Sequence, residues 1–247
     1  MRRALTIGLL ALSSVVVAAC SGQDAQRAQE LLQQSGQAMS GVKSMSFAAR
    51  MWTDGAPQNF TMRMSGGALK TGPKTADFYV KGGVEGVPAA AFQVVMRRGT
   101  AYMEVGGRWT ALPPSADDSS QAQALLSGFD LTRYIKSVSV DETAMMGGEP
   151  VAKIVGVIDT AALLKGLLSQ LGPALQGGPS SSEVSGLSDN LGDARAVLYL
   201  SERTHILKRA LLDLTVKADG KKVGIHMDLA LLSVNEPVQM PGVGAAA

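Results

Sequence analysis

The chain has one cysteine, two histidines and aromatic residues at only 4% of its 247 positions. A lone cysteine has no partner for a disulfide within the chain. No paired Cys/His spacing or His-Glu-x-x-His run suggests a metal site. No Gly-x-Ser-x-Gly elbow, P-loop or Gly-x-Gly-x-x-Gly follows a strand, so those hydrolase and nucleotide chemistries have no support. Asp117-Asp118 and Asp141-Glu142 are carboxylate pairs in turn-like contexts and read as solvated loop charges, not as glycosidase acids. His205 sits in a turn (Glu202 to His205) and His226 alternates with apolar residues; both read as solvated. The expectation is a protein without catalytic residues, metal or cofactor. After residue 19 no stretch reaches the roughly 18 uninterrupted apolar residues of a membrane span.

What is present begins at the N-terminus. Arg2 and Arg3 form a charged start, Leu5 to Val17 is apolar, and Ala18-Ala19 are the small residues of a cleavage site. Cys20 follows at once, which is the arrangement of a bacterial lipobox. The bland alternative is an ordinary secretory signal with a chance cysteine. In the lipobox reading residues 1–19 are removed, the thiol of Cys20 carries a diacylglycerol, and residues 20–23 are a short tether. The 247 residues less these 19 leave 228, and the 23 basic residues less Arg2 and Arg3 leave 21, equal to the 21 acidic ones. A neutral chain is a poor nucleic-acid binder, and it has no polybasic stretch for a membrane. Attachment then rests on the lipid, and stable anchoring takes more than one acyl chain.

Residues 24–247 read as one domain. Asp24 is a plausible cap for a helix to Ser40, with Ala28, Leu31, Leu32, Ser35 and Met39 on one face and Gly41 at its end. A series of alternating strands follows, around Met45–Trp52, Phe60–Ser65, Ala76–Lys81, Phe92–Met96 and Ala101–Val105, with Gly66-Gly67, Gly82-Gly83, Gly99 and Gly106-Gly107 as punctuation. Short helical turns are expected at Ser119–Leu126 and Leu131–Ile135, then strands at Ser137–Thr143 and Pro150–Ile158. Asp159 or Thr160 caps a Leu-rich helix to Leu171. Pro173–Asp193 reads as a long flexible connection. Ala194–Leu200, Leu207–Lys217 and Val223–Leu231 complete about eleven strands, the last two joined by Asp219-Gly220.

Against few aromatics stand 12 methionines. Met45, Met51, Met62, Met64, Met103 and Met227 fall on the alternating apolar face, and Met96 continues it. Methionine adapts to varied apolar partners. Periodicity alone does not separate a filled interior from a hollow one, so both readings stand at this point.

Two segments carry a resemblance. Leu198-Tyr199-Leu200-Ser201-Glu202-Arg203-Thr204-His205-Ile206-Leu207-Lys208 resembles a strand-turn-strand pattern, W-hydrophobic-D-x-x-T-x-x-hydrophobic-x-K. Val234-Asn235-Glu236-Pro237-Val238-Gln239-Met240-Pro241 resembles an N-x-P-V-x-hydrophobic-x-P finish. With the lipobox and the helix after it, the chain resembles the LppX/LprG-type lipoproteins of mycobacteria and other actinobacteria, in the LolA-like superfamily. Ser201 stands where an acid is usual and Tyr199 where tryptophan is common. The resemblance implies an α+β fold: an incompletely closed antiparallel β-barrel, a half-shell covered by helices, whose apolar face encloses lipid or lipoglycan acyl chains. Phe47, Phe60, Met62, Met64, Phe78, Val80, Phe92, Val94, Met96, Leu212, Leu214, Ile225, Met227 and Leu229 are assigned to that cavity by strand parity. A slip of one residue would move a whole strand to the other face. The Leu163–Leu171 helix and the Pro173–Asp193 loop are candidates for mouth and lid. The implied protein is a monomer outside the cytoplasm, anchored to the cell membrane, with a lipid or glycolipid ligand and an envelope lipid exporter as a partner. The alternatives are an envelope sensor that binds a partner protein, or a LolB-type acceptor of lipoproteins.

Overall fold

The computed structural model describes residues 22–72, 75–98, 100–111, 134–162, 191–192, 194–218 and 221–243. Cys20, the Ser119–Leu126 helix and residues 163–171 of the Leu-rich helix lie outside them.

The first element is a helix, α1, at residues 22–40. It begins two residues before the expected cap, so Asp24 lies in the first turn, where a carboxylate still favours the helix N-terminus. Gly41 ends it, its N–H donating to Ala38 O at 3.2 Å. Ala28, Leu32, Ser35 and Met39 are buried along one stripe, as the 3.6-residue period requires.

Eleven strands follow: β1 (Ser44–Asp54), β2 (Thr61–Lys70), β3 (Ala76–Val84), β4 (Val87–Arg97), β5 (Thr100–Val105), β6 (Arg108–Ala111), β7 (Ile135–Met146), β8 (Glu149–Ile158), β9 (Ala194–Ser201), β10 (Leu207–Ala218) and β11 (Lys221–Val234). They form one sheet in the order β6-β5-β4-β3-β2-β1-β11-β10-β9-β8-β7. Every pairing is antiparallel. β6 and β7 are the two edges, so the barrel is not closed.

Several local expectations are corrected. Gly66-Gly67 and Gly82-Gly83 lie inside β2 and β3, not in turns. A Cβ on Gly66 would clash with Tyr79 O and lie 2.6 Å from Phe47 Cζ; one on Gly82 would lie 2.9 Å from Phe92 Cζ. These glycines make room for phenyl rings laid across the sheet. Asp141 and Glu142 lie within β7 beside a bulge between Val140 and Glu142, not in a turn. Lys153 on β8 meets them at 2.7 and 3.2 Å. Ile135, expected in a helical turn, opens β7. Leu191, expected in a flexible connection, bridges Val216. The Leu-rich helix does begin as expected: Asp159 Oδ1 accepts the Ala162 N–H at 2.9 Å. That bond is the main reason the Asp159 carboxyl titrates below its ordinary range.

The two resembling motifs are structural. Ser201 is fully buried at the β9–β10 turn. Its oxygen accepts the Thr204 N–H at 3.0 Å and the Thr204 hydroxyl at 2.8 Å, and its own hydroxyl donates to Glu149. The carboxylate usual at position 201 is thus replaced by one from β8, which also meets Lys208 Nζ at 2.9 Å. The Ser201 and Lys208 hydrogen bonds hold the Glu149 carboxyl below its ordinary range. At the C-terminal motif, Asn235 takes a left-handed conformation at φ 60, one that asparagine tolerates. Its side chain accepts the Lys43 N–H at 2.8 Å. The chain then turns so that Val238 lies against Gly67, where a Cβ would come within 2.7 Å of Val238 Cγ1.

Candidate functional site: an apolar sheet face

The antiparallel register places the predicted apolar residues on one face. Across the sheet, Val94 pairs with Val80, Val80 with Gly66, Gly66 with Phe47, and Phe47 with Leu231. The neighbouring row runs Phe92, Gly82, Met64, Ala49, Leu229, Ala210, Leu198 and Ile154. In the row beyond, Met62, Met51, Met227 and Leu212 stand side by side. Ile225 pairs with Leu214, and Phe78 with Met96. Phe60 is the exception among the predicted residues. It lies in the β1–β2 connection, not in a strand, and is 38% exposed.

The face has two different regions. At one end of the sheet, here the near end, Met39 and Val42 pack with Met45, Ala68, Ala76 and Met96. Further along α1, Ala28 and Leu32 pack with Ile154, Leu198, Leu200 and Ala210. A third buried group joins Ile158, Ala194 and Ala196. In these regions the side chains are buried against one another. Leu212 and Leu214 pack against the third group, whereas toward the opposite, far end of β2–β4 and β11, Met62, Met64, Val80, Phe92, Ile225 and Met227 are only half-buried. Large apolar side chains that remain half-exposed in one contiguous array are unusual, because burial is what drives them together. Met51, Met62 and Met227 give this array a flexible, polarizable centre.

The opposite face carries, at the far ends of β1, β10 and β11, a polar cluster that strand parity alone did not assemble. His226 Nδ1 lies 2.7 Å from Asp213 Oδ1, and Nε2 lies 3.2 Å from Asp54 Oδ2. The three residues come from adjacent strands, with His226 opposite Asp213 on one side and Trp52 on the other. Trp52 stacks on the imidazole at 5.1 Å, and Arg50 Cζ sits 5.2 Å from the Trp52 ring. Carboxylates accept hydrogen bonds only, so both ring nitrogens must donate. The bond to Asp213, then that to Asp54, raises the pKa of His226. His226 is therefore not the solvated side chain expected; only 23% of its side chain is exposed. His205 is corrected likewise: its Nδ1 is buried without a hydrogen-bond partner. Among the described residues no group of three or more His, Cys, Asp or Glu is placed to hold a metal ion. No described helix is long and apolar enough to cross a membrane.

No family model and no curated protein matches the sequence. Among solved structures, LprF from Mycobacterium bovis superposes with a TM-score of 0.52 at 18% identity, covering 88% of this chain and 97% of that one. The chain has the fold of LprF. The lipoprotein LppX from Mycobacterium tuberculosis gives a TM-score of 0.47 at 18% identity, over 86% of this chain and 99% of that one. A LolA superfamily protein from Nitrosomonas europaea gives 0.27 at 9% identity, over 83% and 94%. The fold shared with LprF agrees with the fold implied by the two short motifs. In its described residues the sheet dominates and helix cover is modest, with α1 as the long helix.

Proposed function

We propose that this protein is a lipid-binding lipoprotein of the cell envelope. Diacylglycerol on Cys20 anchors it outside the cytoplasm, and the half-exposed apolar array holds the acyl chains of a lipid or lipoglycan, which the protein carries or presents across the envelope. It acts as a monomer, taking its cargo from an envelope lipid exporter. The observation that carries this reading is the contrast along one sheet face. Under α1 and around Ile158, Ala194 and Ala196 the face is packed, yet Met62, Met64, Phe92 and Met227 stay partly open. A bound lipid would cover them, and each buried methylene is worth about 0.8 kcal/mol. A carrier of this kind needs a deep apolar site, few polar anchors and no catalytic group.

All the contacts described above lie within residues 22–243, so a chain starting at Gly22 keeps them. Purified gently from its own host, it is expected to carry about one long-chain lipid or glycolipid per protein by native mass spectrometry, recovered in the organic extract. An empty protein would overturn the proposal.

A further inference from the structure

Of the five exposed large apolar side chains among the described residues, three share one end of the sheet. Phe60 (38% exposed), Val87 (47%) and Val105 (46%) all lie at the far end, at three hairpins. Phe60 is in the β1–β2 connection, Val87 opens β4 after the 85–86 turn, and Val105 closes β5 before the 106–107 turn. They are continuous with the apolar face: Val105 pairs with Phe92, and Val87 with Val84, which pairs with Met62. Among the described cationic side chains at the same end, Arg63 meets Glu85 and Lys136 meets Asp159. Lys217, Lys221, Lys222 and Arg108 stand exposed, whereas the acidic groups are engaged. Asp54 bonds His226, Glu85 meets Arg63, and Glu104 accepts the Gly107 N–H at 2.7 Å.

The helix points the same way. Its C-terminal turns pack with Met45 at the near end. Ala28 and Leu32 pack with Ala210, whose partner Leu229 pairs with Ala49, four residues along β1 toward the far end. Followed toward its N-terminus, α1 therefore crosses the sheet from β2–β4 to β8–β10 and shifts part-way toward the far end. Cys20 is two residues before Gly22, a span of at most about 7 Å.

We propose that the far end is a bilayer-docking rim: Phe60, Val87 and Val105 enter the headgroup boundary while Lys221, Lys222 and Arg108 meet anionic phosphates. This rests on the lipid-binding reading above, and it sets the apolar face open toward the membrane, so that an acyl chain passes between them without crossing water. A few apolar side chains with adjacent cations bind a bilayer weakly and reversibly, which suits a docking contact beside a covalent anchor.

The test uses the chain starting at Gly22 and vesicles of phosphatidylethanolamine and phosphatidylglycerol in equal parts, scored by sedimentation. The unsubstituted chain is expected to bind. Val87→Ser with Val105→Ser should weaken binding about tenfold or more. Met145→Ser with Leu232→Ser removes still more exposed apolar groups elsewhere and should leave binding unchanged. Lys221→Glu with Lys222→Glu should weaken binding to these vesicles but not to phosphatidylcholine vesicles. No binding by the unsubstituted chain, or equal loss in the rim and control pairs, overturns the docking rim. Mass spectrometry of bound lipid in the same samples separates the two readings. Lipid-loaded protein indifferent to vesicles removes the rim and keeps the carrier; empty protein with rim-dependent vesicle binding does the reverse.

Discussion

Ser201 and His226 show what a single position can hold. Ser201 organises a buried turn in which Glu149 supplies the carboxylate that the resembling motif carries at 201 itself. Ser201→Ala leaves the Thr204 N–H and one Glu149 oxygen without a partner, and should cost about 1–3 kcal/mol, read as a lower urea midpoint at unchanged m-value. Ser201→Asp should be worse, since it sets two carboxylates in contact. Adding Glu149→Gln to Ser201→Asp should recover most of the loss, and a double-mutant cycle without coupling would refute the exchange of roles. His226 makes a pH-dependent prediction. Its folded pKa is raised above the ordinary value near 6.5 by Asp213 and Asp54. Its contribution is therefore complete below the unfolded pKa and lost as pH rises through the folded one. The stability gap between the unsubstituted chain and His226→Gln should be wide at about pH 5.5 and narrower at about pH 8.5. A gap independent of pH would show that the imidazole is not held as a cation.

At the scale of elements, the sequence is legible where side chains alternate and misleading where glycine stands in for a side chain. Phe78, Val80, Ile225 and Met227 fall on the expected face because period 2 allows no other choice once one face is buried. Gly66 and Gly82 read as turns because sequence does not reveal that Phe47 and Phe92 lie across them. β6 (Arg108–Ala111) is too short to show an alternation, and its half-buried and exposed residues give no apolar signal. Phe60 alternates with Met62 but stands outside the ladder, its N–H bonded at 3.1 Å to Thr53 Oγ1. The Asp213–His226–Asp54 cluster spans 172 residues of sequence between Asp54 and His226, so only strand order could reveal it. α1 was legible throughout its buried stripe, and it divides the face energetically. Leu32→Ala should cost about 2–4 kcal/mol, as expected for a filled core. Met62→Ala in lipid-free protein should cost less than about 1.5 kcal/mol, because part of its surface has no protein partner to lose. Equal costs would mean that the far region is as tightly packed as the near one.

For the molecule as a whole, the decisive property is whether stability and cargo are linked. An unclosed sheet with one packed region can fold on that region alone, leaving the other free to take a ligand. A lipid that binds the folded state but not the unfolded chain raises stability as its free concentration exceeds Kd, about 2.7 kcal/mol at a hundredfold excess. Met64→Trp and Val94→Trp add bulk in the half-buried array, away from α1 and its buried partners. Each should lower the lipid recovered per protein and abolish the lipid-dependent rise in Tm, while the Tm of the lipid-free form changes little. The two effects must move together, because both report the same site. A variant that loses bound lipid but keeps the full lipid-dependent shift would place the ligand elsewhere on the protein. Unchanged loading in both variants would mean that the array is filled by the protein itself, and that its half-exposed methionines serve packing rather than cargo.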